Sequence, residues 1–135
     1  MSKIYQDGTY LAKNSTWHEE DSPYKAKWIN KLIKKNSLDP NTICEIGCGS
    51  GQILDELSEK YSEKVKFYGY EVSPQAYEIC KKKTKKNLTF EFADILKEED
   101  SYFDIAMIID VIEHIEDYFF FLRKVKKKAN YKIFH

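Results

Sequence analysis

The sequence has no run of about 20 apolar residues, the length a membrane-spanning helix needs. Its opening residues, Met1-Ser2-Lys3-Ile4-Tyr5-Gln6-Asp7, lack the apolar stretch of a secretory signal. Neither sign of charge prevails: 22 Lys and Arg stand against 22 Asp and Glu. That balance removes any global electrostatic argument for nucleic acid or an anionic membrane as partner. Cysteine is scarce, and Cys44, Cys48 and Cys80 form no Cys-x-x-Cys pair. Without a secretory signal they read as reduced thiols, and their spacing offers no metal site. No internal repeat or low-complexity tract is visible. A cytoplasmic location is the expectation, with no membrane and no nucleic acid as partner.

What is present suits one domain of 135 residues. Only five glycines occur, and three fall at alternate positions, Gly47, Gly49 and Gly51. A short apolar run (Ile43, Cys44, Ile46) precedes them, and Ile53, Leu54, Leu57 and Tyr61 follow at helical spacing. The pattern reads as strand, tight turn, helix. Glycine permits backbone angles that other residues resist and lets a ligand approach the main chain. Such a junction signals nucleotide binding.

Residues 1–22 are polar with isolated aromatics, and read as an N-terminal arm before a domain over 23–135. Ser22 is placed to cap a helix that Pro23 opens and that ends near Asn36. Tyr24, Trp28 and Leu32, with Ile29 and Ile33, form its apolar stripe. Further strands are expected over 65–72, 87–92, 103–109 and 131–134, and further helices over 74–83 and 118–129. The strand over 103–109 is nearly all apolar, as in a strand covered on both faces. Alternating strands and helices predict a parallel sheet with right-handed crossovers. The lysine clusters fall at helix C-terminal ends, where the helix dipole favours cations.

Ligands of an open parallel sheet bind beyond the carboxyl ends of its strands. Glu71 ends the second strand, 24 positions after Gly47, where a carboxylate accepts hydrogen bonds from a ribose diol. Asp94 follows the third strand, placed for an adenine edge. Asp110 ends the fourth, beside the reactive end of a cofactor, with His114 a candidate general base or substrate contact. Gln52 stands where a Gly-x-Gly-x-x-Gly dinucleotide motif needs glycine, which disfavours a nicotinamide dehydrogenase.

The run Glu45-Ile46-Gly47-Cys48-Gly49-Ser50-Gly51 resembles the first motif of class I S-adenosylmethionine-dependent methyltransferases. Glu71 matches that family's acidic second motif, Phe92-Ala93-Asp94-Ile95 its adenine-side motif, and the stretch from Asp104 to Ile115, with Glu113-His114, its fourth-strand motif in the form many small-molecule methyltransferases carry. The likeness covers about residues 40–135. It implies a Rossmann-like α/β fold, a parallel sheet of about five strands in the order 3-2-1-4-5 with helices on both faces. It implies S-adenosylmethionine as cofactor and a small-molecule acceptor. By the same resemblance Gly47, Cys48, Gly49 and Gly51 hold the methionine part, and Glu71 the ribose. Val72 and Ser73 border the adenine, Asp94 and Ile95 contact it, and Asp110 and Val111 lie near the methionine end. Glu45 supports the glycine loop through its amides, or meets the cofactor amine. The family has no universal catalytic residue. Trp17 and His18 are placed to join a lid.

The family sheet has seven strands, and this chain ends in the fifth, so the C-terminal hairpin is expected to be missing. The fifth-strand edge around Phe134 is then expected to be open and to favour a homodimer. The competing readings are an RNA or protein methyltransferase, on the lysine clusters, and a non-catalytic methyltransferase-like scaffold.

Overall fold

The computed structural model of the chain describes residues 19–135. Trp17, His18 and most of the expected arm lie outside the described residues. A turn of 3-10 helix, Glu19–Asp21, leads into α1 (Ser22–Lys35). Pro23 sits in its first turn, as its fixed φ and missing N–H allow. Ser22 is not the cap. It lies inside the helix and is buried, and Asp21 takes the N-cap position without a side-chain capping bond.

Five parallel strands follow, β1 (Thr42–Ile46), β2 (Lys66–Glu71), β3 (Leu88–Phe92), β4 (Phe103–Ile108) and β5 (Ala129–Phe134), in the order β3-β2-β1-β4-β5. The intervening helices are α2 (Gln52–Ser58), α3 (Pro74–Cys80) and α4 (Tyr118–Lys126). The expected order and alternation are those observed. In register, Glu45 of β1 lies between Gly69 of β2 and Met107 of β4.

The central strands carry apolar residues on both faces because both are covered. On one face Ile29 and Ile33 of α1, Leu54 and Leu57 of α2 and Cys80 of α3 pack with Ile43, Phe67 and Ile105. On the other, Phe121 and Val125 of α4 pack with Cys44, Ala106 and Ile108. Among the described residues no helix is long and apolar enough to cross a membrane.

Most boundaries shift by one to three residues from the sequence reading, and the helix opened by Pro74 stops at Cys80 rather than 83. Helix α2 stops at Ser58, whose hydroxyl turns back to the carbonyl of Asp55. Helix α4 stops at Lys126, and β5 begins at Ala129, two residues earlier than expected. Lys128 explains this shift: its side chain is buried, and its ammonium bonds the Glu98 carbonyl, so the turn closes there.

The expected apolar stripe of α1 also divides. Ala26, Ile29 and Ile33 are buried, whereas Tyr24, Trp28 and Leu32 are 65, 47 and 45% exposed. They line a groove of about 400 Å³ whose far wall is Ile133 and Phe134 of β5, the strand at the sheet edge.

Candidate functional site

The three loop glycines take left-handed backbone angles, with φ of 73° at Gly47, 57° at Gly49 and 77° at Gly51. Side chains other than glycine's resist that region by roughly 1–2 kcal/mol. Two of the three are also glycines for packing reasons. A Cβ on Gly51 would lie 2.6 Å from the ring of Phe90, and one on Gly47 would lie 2.9 Å from Val111 Cγ2. The Phe90 ring likewise excludes a Cβ at Gly69, at 2.4 Å. Part of the glycine pattern thus serves close packing of β2 and β3 against the loop, a role that alternation of glycines alone does not reveal.

Hydrogen bonds pin the loop to the top of β2. The Gly47 and Cys48 amides both donate to the Tyr70 carbonyl, at 2.9 and 3.1 Å. The Gly49 amide donates to Glu71 Oε2 at 2.7 Å. Glu71 Oε1 accepts the amides of Val72 and Ser73 at 2.9 and 2.8 Å. A single buried carboxylate therefore ties the end of β2 to the loop leaving β1. Burial raises the Glu71 pKa above its ordinary value, and the three amide donors oppose that rise. With about four acceptor sites on a carboxylate, room for a further donor remains. Ser73 then caps α3, its hydroxyl accepting from Ala76.

Glu45 stands differently. It is 2% exposed, and its Oε2 has no hydrogen-bond partner. The support of the glycine loop expected from Glu45 comes from Glu71 instead. Burial, then the like charges of Glu71 and Asp110, push the Glu45 pKa well up, while Lys25 opposes this. A buried carboxylate oxygen without a donor suits a cationic ligand group, such as the α-ammonium of S-adenosylmethionine.

The same orphan sets a stability prediction. A carboxyl whose pKa is higher in the folded than in the unfolded state stabilises the fold fully only below its unfolded pKa, about 4.3. That stabilisation is lost as pH rises through the folded pKa. Glu45→Gln, which does not ionise, is expected to raise stability near neutral pH by about 1–3 kcal/mol. The gain should shrink towards zero near pH 4. Urea midpoints of both proteins from pH 4 to 8 check it, and parallel pH slopes would refute it.

Asp110 lies just past β4 with φ of 55°, a left-handed angle unusual outside glycine. Its carboxylate ion-pairs with Lys25 of α1 and meets His135 Nδ1 at 3.0 Å. Burial works against its charge, but Lys25 and His135 outweigh that and bring its pKa below the usual value. Neither Lys25 nor His135 stood out in the sequence, where one is a lysine among many and the other follows the last expected strand.

Gly47, Gly49, Val72, Asp94 and Asp110 keep partly open surface along the carboxyl edge. Cys48, Ser73 and Val111 are buried around them. Asp94 caps a 3-10 turn, accepting from Leu96 at 3.1 Å. Ile95 is wholly buried in the α4-side core and presents no surface to the crevice. His114 sits on the 3-10 turn Ile112–His114 beyond β4, with Nε2 3.8 Å from Glu113.

The sheet order and the loop clamped to β2 define a class I S-adenosylmethionine-dependent methyltransferase domain. The chain belongs to the Methyltransferase domain family, whose profile matches residues 44–130. It is similar to (S)-coclaurine N-methyltransferase of Thalictrum flavum subsp. glaucum, with 29% identity over 94 residues, 66% of this chain and 26% of that protein. In fold it resembles the plantazolicin methyltransferase BpumL, solved with a monoazolic desmethylPZN analog and SAH. The TM-score is 0.75 at 18% identity, covering 95% of this chain and 52% of that one. It also resembles coclaurine N-methyltransferase bound to N-methylheliamine and SAH, with a TM-score of 0.64 at 19% identity, over 77% of this chain and 32% of that one. The chain thus spans about a quarter of the curated relative's length and about half of the BpumL chain.

Proposed function

We propose that this domain binds S-adenosylmethionine and carries methyl transfer to a small-molecule acceptor. The observation that supports it most is the Glu71 carboxylate, fixed at the end of β2 by the amides of Gly49, Val72 and Ser73. It stands one strand from the switch point between β1 and β4, where open α/β sheets take their ligands. In this reading Glu71 holds the ribose hydroxyls with its remaining acceptor capacity, and Val72, Ser73 and Asp94 border the adenine. Gly47, Cys48, Gly49 and Gly51 shape the main chain under the methionine part. Glu45 takes the ammonium, and Asp110 and Val111 line the methionine end. Ile95 acts from behind, by packing.

Bound S-adenosylmethionine supplies a methyl group already activated by its sulfonium, for in-line displacement by the acceptor. The residues of the chain therefore need only bind, orient and exclude water, and positioning carries most of the rate. His114 is the candidate to receive an acceptor proton. The small-molecule class of acceptor rests on the zero net charge, the Glu113-His114 form of the fourth-strand motif, and two methyltransferases of similar fold solved with a desmethylPZN analog and with N-methylheliamine.

Calorimetric titration with S-adenosylmethionine and S-adenosylhomocysteine tests the cofactor. Saturating ligand, at about 100 times Kd, should stabilise the fold by about 2.7 kcal/mol. No heat and no thermal shift at millimolar ligand would defeat the proposal. Transfer of labelled methyl to a panel of amine and hydroxyl metabolites then tests the acceptor class, with RNA and protein as competing acceptors.

A further inference from the structure

Three carboxylates gather at the carboxyl edge of the sheet: Glu45 from β1, Glu71 from β2, and Asp110 beyond β4. Two of them are answered, Glu71 by three amides and Asp110 by Lys25 and His135. Lys25 comes from the first turn of α1, 85 residues away in sequence from the aspartate it meets. Ala26 and Ile29 of the same helix are buried in the core, which anchors it to the domain. The Lys25 side chain is only 14% exposed. Among the described residues its only hydrogen-bond acceptor is Asp110, which leaves two of the three ammonium donors unspent.

The largely buried Lys25 ammonium has spare donors and the buried Glu45 carboxyl has an unpartnered oxygen, so one edge of the sheet offers both a cation and an acceptor. An α-amino acid end presents the opposite pair, a carboxylate and an ammonium on one carbon. We infer that Lys25 is a further cofactor-binding residue, which takes the carboxylate of the amino-acid end while Glu45 takes its ammonium. This rests on the adenosyl-cofactor reading above and extends it to the first helix of the fold. Asp110 then has a second role. In the free protein it holds Lys25 over the site, so the cation is in place before the ligand arrives.

The test is calorimetry with three ligands that share the adenosyl thioether. S-adenosylhomocysteine carries the whole amino-acid end, its decarboxylated analogue lacks only the carboxylate, and 5′-methylthioadenosine lacks the entire end. The unaltered protein should bind S-adenosylhomocysteine at least about tenfold tighter than the decarboxylated analogue, the size of one charged hydrogen bond. Lys25→Met should erase that preference while leaving 5′-methylthioadenosine within about twofold of its original Kd. A residue that only tethers Asp110 would weaken all three ligands alike or none, and either result overturns the inference. Equal affinity of the unaltered protein for the first two ligands also overturns it, without any variant that has to fold. Failure of the unaltered protein to bind any of the three overturns the adenosyl reading itself.

Discussion

Glu71→Ala is expected to destroy ligand binding and much of the stability together. The side chain is the acceptor for three main-chain amides, and two of these, at Val72 and Ser73, start the connection into α3. Each buried amide left without a partner costs about 1–3 kcal/mol. Removing a buried carboxylate relieves some desolvation, since burial already raises its pKa. A net loss of about 2–4 kcal/mol follows, a large share of the 5–15 kcal/mol typical of a folded domain. S-adenosylhomocysteine should bind at least about 100-fold more weakly, the sum of a lost charged acceptor for the sugar and a loosened Gly49. Glu71→Gln keeps one acceptor oxygen and should fall between. Urea unfolding and calorimetry on the three proteins measure both effects. A Glu71→Ala protein with an unchanged midpoint would show that the clamp carries no weight, and an unchanged Kd would remove the ribose assignment.

Gly51→Ala should be nearly as damaging for a different reason. The residue has φ of 77°, and an added Cβ would sit 2.6 Å from Phe90 Cε1 and 2.9 Å from Cys80 Cβ. The left-handed angle costs about 1–2 kcal/mol for a non-glycine residue, and overpacking a filled core about 1–3 kcal/mol. The expected loss is therefore about 2–5 kcal/mol. The steric part is specific. Phe90→Leu in the Gly51→Ala background should recover part of the loss by clearing the ring, although Phe90→Leu alone destabilises. Such a double-mutant cycle isolates the contact. Strict additivity of the two changes would show that the ring does not press on Gly51, leaving only the backbone angle.

The two cases show different limits of a sequence reading. The alternation of strands and helices was legible because period and punctuation are local signals: apolar runs, the glycine turn, Pro23 and Pro74 at helix starts. The strand order came only from the family resemblance. The candidate site was legible where a motif binds consecutive residues, as from Glu45 to Gly51, or places one carboxylate at a strand end, as at Glu71. The exposure of Tyr24, Trp28 and Leu32 was not, since spacing marks a helical face without saying whether another layer covers it. Ile95 followed the same rule, placed by motif beside adenine and by packing in the core behind it.

The local sequence by itself determined which stretches become strands and helices, where the glycine turn falls and where the proline-led helices open. These depend on neighbours within a few positions: glycine's freedom at φ above zero, the fixed angle of proline, and alternation along a strand. Only the tertiary structure decided that Glu71 rather than Glu45 clamps the loop, that Glu45 is left with a bare oxygen, and that Lys25 reaches Asp110. Those outcomes depend on which side chains burial brings together from α1, β1, β2 and β4. Desolvation and charge then settle which carboxylate is satisfied and which one waits for a ligand.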